Sequence, residues 1–348
     1  MPSLKNKSGK EDKMPTIKDV AKDAGVSPST VSRVINNHDR ISPETKKKVK
    51  ESMDKIGYYP NVIAQNLVNQ ESRTLGLMMP YSTEEAFADP FYAEVLRGIG
   101  AVAQENNYSI LLITCDDEED DELEAGLKAV RSKKVDGLLL LRSRREDPLI
   151  KKLTELDIPF VVLGRPRDET GVHWVNNDNI KASKKVVEHL IDSGHEKIGL
   201  ITGDKEYIVY EDRLKGYKKA LTENDLEYNK DWVIRCDGGK ESARQATLEL
   251  LKENSELTAI FAADDVMAYG VVKALKELEL SVPDDIAVVG FNNNPFSGLV
   301  SPPLTTVDIN TYQLGITSTN RLIKLIQNKP VTGYKEIVET DIIIRESS

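Results

Sequence analysis

Residues 16–36 of the chain read TIKDVAKDAGVSPSTVSRVIN, and this stretch decides the fold of the N-terminal part. A threonine N-cap followed by apolar residues at helical spacing predicts a helix over 17–24. Gly25 favours a left-handed C-terminal turn, and the Ser-Pro pair that follows it starts a second helix, which runs to about Asn36. The stretch therefore predicts two short helices joined by a sharp turn.

The second predicted helix has an apolar face and a polar face. Val31, Val34 and Ile35 form the apolar face, which packs inward. Short polar groups and one arginine form the other, and such groups can read base edges in the major groove of DNA through hydrogen bonds. The alternative is an amphipathic helical hairpin whose polar face is only solvated. The candidate DNA-contacting residues of the two helices are Thr16, Ile17, Ser27, Pro28, Ser29, Thr30, Ser32, Arg33 and Asn36.

The helix pair and the segment after it resemble a known family. The stretch at 16–36, together with GYYPNVIAQNL at 57–67, is similar to the N-terminal part of the LacI (lactose repressor) family of transcription regulators. This resemblance implies a helix-turn-helix DNA-binding domain over 16–60 and a hinge helix and linker over 61–72. In the family the hinge helix orders when two chains pair on DNA and insert a leucine into the minor groove, the position that Leu67 occupies here. Without the resemblance, the segment would be interpreted as a plain linker, because so short a helix is marginal in water.

Charge is distributed unevenly along the chain. The formal net charge is −10, yet residues 1–60 contain 13 Lys and Arg against 8 Asp and Glu. A basic head on an acidic body suits a protein that binds phosphates at one end. Arg40 is therefore a further candidate for DNA contact, as are the lysines of a third helix predicted to open at Ser42, although a lysine-rich face is often only solvated. Residues 1–15 are polar and lack hydrophobic periodicity, so they are predicted to be a disordered extension.

Several other classes of protein are disfavoured by the sequence. No apolar run approaches the roughly 20 residues of a membrane span, and the N-terminus has no apolar signal core, so a cytoplasmic location is expected. Cys115 and Cys236 have neither metal-ligand nor CxxC spacing, which predicts free, buried thiols. The four histidines are dispersed, and neither a nucleophile elbow nor a phosphate-binding loop is present. The chain is therefore expected to be no enzyme and to need no cofactor.

From residue 73 onward, apolar strands alternate with helical segments. TLGLMMP, SILLITC and VDGLLLL form one series, and KIGLITG, TAIFAADD and IAVVGFNN form a second. Such alternation implies doubly wound parallel sheets, so the fold class is α/β: an all-α helix-turn-helix head followed by a two-lobed core.

The family resemblance implies the type of two-lobed core and the bounds of its lobes. It implies a periplasmic-binding-protein-like effector-binding and dimerisation core over 73–348, in which the chain crosses between the lobes three times. Lobe 1 is then expected over about 73–174 and 308–338, and lobe 2 over about 175–307 and 339–348.

Ligands of two-lobed proteins bind in the cleft, outside the carboxyl ends of the strands. By resemblance, Arg213 bridges effector hydroxyls, and Asn292 replaces an aspartate, which removes a charge but keeps the hydrogen-bonding capacity that a neutral polyol requires. Asp178 and Asp265 could instead cap helices, and the aromatic residues could be packing residues. The candidate effector-binding residues are Phe91, Tyr92, Asp178, Tyr207, Arg213, Asp264, Asp265, Phe291 and Asn292.

Within the family, the run FNNNPFSGLVSPPLTTVDIN at 291–310 most resembles the maltose-operon repressors of Gram-positive bacteria. This implies a repressor that binds double-stranded operator DNA and is controlled by a small sugar, maltose or a related α-glucoside. A homodimer is expected, because the chain lacks the C-terminal leucine heptad of tetrameric members. Two alternatives remain open: a sugar-binding transport receptor, and a repressor controlled by a different corepressor.

Overall fold

The structure, a computed structural model, describes residues 15–35, 38, 40–59, 71–79, 87–114 and 119–348. Asn36, Leu67, Cys115, most of the predicted hinge segment and most of the predicted N-terminal extension lie outside these residues. The chain forms two compact units, Met1–Ser72 and Arg73–Ser348, called here the head and the core.

The described part of the head consists of three helices around a small apolar core. They are α1 (Ile17–Ala24), α2 (Pro28–Ile35) and α3 (Pro43–Ile56). Gly25 ends α1 in the left-handed conformation, with φ of 63°. Their buried apolar side chains, which come from all three helices, are Val20, Ala21, Ala24, Val31, Val34 and Val49. The predicted bounds of α1 are confirmed.

Lobe 1 of the core is built on a parallel sheet. Its elements are β1 (Thr74–Met78), α4 (Pro90–Glu105), β2 (Ser109–Ile113), α5 (Glu119–Arg131), β3 (Gly137–Leu140), α6 (Pro148–Glu155), β4 (Phe160–Leu163), β5 (Trp174–Asn176), α11 (Thr311–Ile326) and β11 (Lys335–Ile337). Within the described residues, the six strands lie in the order β11-β5-β4-β3-β1-β2. The helices pack in two pairs, α4 with α11 and α5 with α6.

Lobe 2 is built on a second parallel sheet. Its elements are α7 (Asn179–Asp192), β6 (Ile198–Thr202), α8 (Ile208–Glu223), a short 3-10 helix (Lys230–Trp232), β7 (Val233–Arg235), α9 (Lys240–Glu253), β8 (Ala259–Ala262), α10 (Asp265–Glu277), β9 (Ala287–Val289), β10 (Thr306–Asp308) and β12 (Asp341–Ile343). The described strands of the sheet lie in the order β7-β6-β8-β9, and an antiparallel ribbon of β10 and β12 completes the lobe. The helices pack in two pairs, α7 with α8 and α9 with α10.

The described chain passes between the lobes after β5, after β10 and after β11. The Asn177 side chain lies in the first crossover, and its amide donates to the carbonyl of Ile309 at 3.0 Å and to that of Val338 at 2.9 Å. Those two carbonyls belong to the second and third crossovers. One buried amide therefore joins the three segments about which the lobes could move relative to each other.

The α4–α11 pair in lobe 1 is unusually close. A Cβ atom added at Gly98 would lie 2.3 Å from the carbonyl oxygen of Tyr312, and one added at Gly315 would lie 2.4 Å from that of Val95. Since real Cβ atoms do not approach so closely, glycine is required at both positions. The two backbones touch at this crossing, which fixes α4 and the cleft residues at its N-terminus.

None of the helices in the described part of the chain is long and apolar enough to cross a membrane. Cys236 is a free thiol and is only half-buried, whereas the sequence predicted a buried one.

Candidate functional site

The predicted DNA-reading residues of the head lie mainly on one exposed surface. Pro28, Ser29 and Arg33 are exposed on α2, opposite the buried Val31 and Val34. This arrangement leaves the polar face of α2 available to a ligand.

Several neighbouring candidates also stabilise the helices. The Ser27 hydroxyl caps α2 by accepting a hydrogen bond from the Thr30 backbone at 3.1 Å. The Thr16 hydroxyl donates to Asp19 at 2.7 Å, and Ile17 is half-buried against the apolar core of the head. Arg40 is exposed and Ser32 is half-buried.

The core contains a cavity of about 120 Å³ between the lobes, called here the inner cavity. Phe91 and Tyr92 reach it from the N-terminal end of α4 in lobe 1, and Tyr207 and Arg213 reach it from the beginning of α8 in lobe 2. These positions follow from the parallel sheets, whose carboxyl ends face the cleft. The predicted effector residues that line the inner cavity are Phe91, Tyr92, Tyr207, Arg213, Asp264 and Asn292.

Arg213 is the centre of a buried polar network. Its Nη2 donates to Asn292 Oδ1 at 2.9 Å, its Nε donates to Asn179 Oδ1 at 3.2 Å, and its Nη1 donates to the carbonyl of Ala263. The Asn292 amide in turn donates to the Asp264 carboxylate. The guanidinium lies 3.8 Å from the centre of the Phe291 ring, a cation–π contact. These contacts hold Arg213 in one orientation at the wall of the cavity.

Two carboxylates, one from each lobe, line the same cavity. Asp89 caps α4 through the backbone N–H of Phe91 at 2.9 Å, and Asp264 caps α10 through that of Val266 at 2.8 Å. Burial raises the pKa of Asp89. Burial also raises the pKa of Asp264 well above its usual range, the charge of Asp89 raises the pKa of Asp264 further, and the positive charge of Arg213 lowers it. Hydroxyl donors from a ligand would replace the solvation that both carboxylates have lost.

The structure does not bring three predicted effector residues to the cavity. Asp178 is exposed and accepts a hydrogen bond from the backbone N–H of Lys181, so it caps α7. Phe291 is fully buried beneath Arg213. Asp265 is also fully buried, and its carboxylate accepts hydrogen bonds from Asn294, Ser297 and Thr306 inside lobe 2 instead of lining the cavity. All three residues therefore contribute to the stability of lobe 2 and do not line the inner cavity.

The cavity also includes residues that the sequence prediction missed. Asn176 and Asn179 come from the first crossover, beside the predicted Asp178. A run of asparagines after a strand was a usable signal, but which member faces the cavity depends on the backbone path. The other missed polar or charged lining residues are Asp89, Arg142, Ser143, Arg165 and Asn177, while Tyr210, which also lines the cavity, was among the aromatic candidates suggested by the sequence.

The lobes are joined directly beside the inner cavity. Arg165 in lobe 1 forms a bidentate ion pair with Asp212 on α8 of lobe 2, with nitrogen–oxygen distances of 2.7 to 3.0 Å. Backbone hydrogen bonds connect Ile208 N to Ser143 O at 3.2 Å and Arg145 N to Glu206 O at 2.8 Å. These contacts, called here the clasp, can form only when this side of the cleft is closed.

Replacing Asp212 by alanine is expected to shift the core towards an open cleft. Charged hydrogen bonds contribute roughly 1.5–3 kcal/mol, so removal of the ion pair should change the open-to-closed ratio by about 10-fold or more. Small-angle X-ray scattering of the ligand-free protein should then report a larger radius of gyration. Glu211→Ala is the matched control, because its ion pair with Arg235 lies within lobe 2. Equal radii for the two variants would show that the clasp does not hold the lobes together.

The chain matches known proteins over nearly its whole length. Residues 16–61 match the family model described as bacterial regulatory proteins, lacI family, and residues 187–348 match that of the periplasmic binding protein-like domain. It is 38% identical to the transcriptional regulator MalR of Streptococcus pneumoniae, covering 94% of this chain and 98% of that protein.

Two solved structures are also similar. A complex of the transcriptional regulator CelR with cellobiose has a TM-score of 0.76 and 33% identity, and covers 96% of this chain and 100% of that one. The lac repressor dimer bound to operator and the anti-inducer ONPF has a TM-score of 0.83 and 29% identity, and covers 96% and 99%.

These similarities, together with the helix-turn-helix head and the two-lobed core, establish the class. The chain belongs to the LacI family of bacterial transcription regulators. It is therefore a regulator and not an enzyme, as predicted from the lack of a catalytic motif.

Proposed function

We propose that the protein is a cytoplasmic homodimeric repressor that binds a pseudo-palindromic operator through α2 and is controlled by a small sugar, maltose or a related α-glucoside, bound between the lobes. The observation that carries the proposal is the network of Arg213, Asn292 and Asp264 at the inner cavity. It presents charged and neutral hydrogen-bonding groups beside aromatic rings, an arrangement that suits the hydroxyl groups and apolar faces of a sugar.

The similar proteins support the same ligand class. The relative from Streptococcus pneumoniae bears the name MalR, and the solved CelR complex contains cellobiose. Asn292 supports a neutral ligand, because its amide both donates and accepts hydrogen bonds without adding charge.

A sugar can change operator binding only through the difference between its affinities for two conformations of the protein. The clasp and the three crossovers allow such a difference, because a ligand that contacts both lobes favours one of their arrangements. We infer that the sugar rotates lobe 1 of each subunit and separates the two hinge segments that carry Leu67, which releases the operator.

The direct test is to titrate operator binding of the full chain with and without maltose, using an operator selected from random duplexes. Coupling between such sites is typically worth about 1–3 kcal/mol, so maltose should weaken operator affinity by roughly 5-fold to 150-fold. Tighter operator binding with maltose would identify a corepressor, and the absence of any response would remove maltose as the effector.

Arg33→Ala should weaken operator binding by about 1–3 kcal/mol and relax specificity at one base pair of each half-site, because Arg33 is exposed on the polar face of α2. Binding measured on the selected operator and on random DNA distinguishes base contact from phosphate contact. Lys47→Ala, an exposed change on α3, is the control and should affect both DNAs equally. An equal loss on both DNAs for Arg33→Ala would show that Arg33 contacts only phosphate.

A further inference from the structure

The turn that leads from α5 into β3 carries a cluster of exposed basic side chains. Arg131, Lys133 and Lys134 form this cluster, called here the basic turn, and Lys128 lies beside them in the last turn of α5. All four residues are exposed, and within the described part of the chain none of their side chains forms an ion pair. The described residues of the core therefore do not neutralise this charge.

Positive charge is concentrated here on a lobe that is otherwise acidic at comparable places. Outside residues 1–60, the chain has more Asp and Glu than Lys and Arg. The other turns in lobe 1 that lead from a helix into a described strand precede β2, β4 and β11, and together they hold a single basic residue, Lys329. The corresponding turns of lobe 2 contain more Asp and Glu than Lys and Arg. An isolated basic cluster on an acidic body indicates an anionic partner.

The basic turn is fixed beside the point at which the chain enters the core. Strand β1, the first of the core, lies next to β3 in the sheet of lobe 1. The backbone N–H of Arg73 donates to the Asp136 carboxylate at 2.8 Å, and the backbone N–H of Asp136 donates to the Thr74 carbonyl at 2.8 Å. Lys134 is only two residues before Asp136, so the basic turn and the start of the core belong to one local structure.

The backbone of the turn holds the basic side chains in place. The N–H of Lys133 donates to the Val130 carbonyl at 2.9 Å, and the N–H of Lys134 donates to the Ala129 carbonyl at 3.0 Å. Lys133 has φ of 53°, in the left-handed region in which Gly25 ends α1. A lysine at a position that favours glycine adds a charge at some cost in backbone strain. A cation there also stabilises the C-terminus of α5, a structural effect that the test below separates from binding.

DNA bound by the head is tethered to this edge of lobe 1 by a short segment of chain. Residues 60–72 connect Tyr59, which follows α3, to Arg73. A chain of this length spans at most about 47 Å even when fully extended. Double-stranded DNA carries one negative charge per roughly 1.7 Å of its axis, so a duplex that extends past the site read by α2 offers many phosphates within that range.

We propose that the basic turn is a second DNA-binding surface, which binds phosphate groups of the operator duplex in addition to the contacts made by the head. Arginine and lysine side chains bind phosphate through charge and hydrogen bonds, and such contacts add affinity without reading sequence. This inference rests on the proposed function as an operator-binding repressor, and it adds a contact made by lobe 1 of the core.

The test compares the full chain with the triple variant Arg131→Gln/Lys133→Gln/Lys134→Gln. The DNA is an operator selected from random duplexes and extended on both sides, and affinity is measured as a function of salt concentration. When salt rises from about 50 to about 200 mM, the wild type should lose about 3-fold more affinity than the variant for each phosphate contact removed. Phosphate contacts do not depend on sequence, so the variant should weaken on random DNA as much as on the operator.

The matched control is the triple variant Lys181→Gln/Lys185→Gln/Lys276→Gln. It removes the same charge from exposed positions on α7 and α10 of lobe 2, so its salt dependence should equal that of the wild type. Ethylation interference then identifies the phosphates involved. Ethylation of the phosphates bound by the basic turn should weaken binding of the wild type and have no further effect on the basic-turn variant.

Different results would contradict different parts of the inference. Equal salt dependence of the wild type and the basic-turn variant, or identical interference patterns, would overturn the second surface while leaving operator binding by the head intact. Urea denaturation and sedimentation of the variant test for a structural role. A loss of stability or conversion to monomer, with an unchanged interference pattern, would assign the charges to the end of α5 or to a contact between subunits and also overturn the inference. Failure of the wild type to prefer the selected operator over random DNA would instead contradict the proposed function.

Discussion

Arg213→Gln is expected to abolish the response of operator binding to maltose while leaving operator binding itself unchanged. Glutamine is shorter, cannot donate to Asn179, Asn292 and Ala263 together, and places no positive charge near Asp264. Charged hydrogen bonds contribute roughly 1.5–3 kcal/mol, so sugar affinity should fall by about 10-fold to 150-fold. Fluorescence anisotropy of labelled operator, with and without maltose, measures the response, and calorimetry measures sugar binding directly.

Two controls separate a binding defect from a folding defect. Arg235→Gln removes another arginine of lobe 2, one that pairs with Glu211 and does not line the inner cavity in the described residues, so its sugar response should be normal. Arg213→Lys retains the positive charge and should give an intermediate affinity, because one ammonium cannot replace the fork of donors. An unchanged response in Arg213→Gln would remove Arg213 from the site.

Asp265→Ala is expected to lower the free energy of unfolding of the core by about 3–4 kcal/mol. The buried Asp265 carboxylate accepts hydrogen bonds from Asn294 N at 2.7 Å and from the hydroxyls of Ser297 and Thr306, each at 2.6 Å. Alanine would leave these buried donors without their acceptor. The loop that begins at Asn292 would also lose its anchor, so sugar affinity should fall although Asp265 does not line the cavity.

Urea denaturation monitored by circular dichroism measures this effect, and Asp178→Ala provides the matched control. Asp178 is another aspartate of lobe 2, but it is exposed and only caps α7, so its replacement should cost about 0.5–2 kcal/mol. Similar losses for the two variants would show that the buried contacts of Asp265 add nothing beyond an ordinary cap.

Local patterns in the sequence were sufficient to predict the helices of the head. Thr16, Gly25, Ser27 and Ser42 act at helix ends, and the spacing of Val31 and Val34 reports which face of α2 is buried. These signals involve residues only a few positions apart, so a reader of the sequence can recognise them. The alternation of strands and helices predicted the α/β core for the same reason.

The cleft required more than local patterns. Arg213, Asn292 and Asp264, which the sequence offered as candidate effector-binding residues, line the inner cavity, because each is near the start of a helix or follows a strand at the carboxyl edge of the sheet. Asp264 and Asp265 are adjacent and chemically identical, yet one faces the cavity and the other faces the interior of lobe 2. Their roles depend on the rotation of α10 against its sheet, a property that no spacing in the sequence encodes.

The sequence by itself determined the helix-turn-helix head, the two series of strands and the polar residues at their ends, because each depends on neighbours along the chain. Only the tertiary structure decided that Arg165 of lobe 1 meets Asp212 of lobe 2, and that Asn177 joins three crossovers. These partners are separated by 47 to 161 positions in the chain. Such contacts arise from the packing of whole lobes, so their chemistry becomes visible only once the fold brings the residues together.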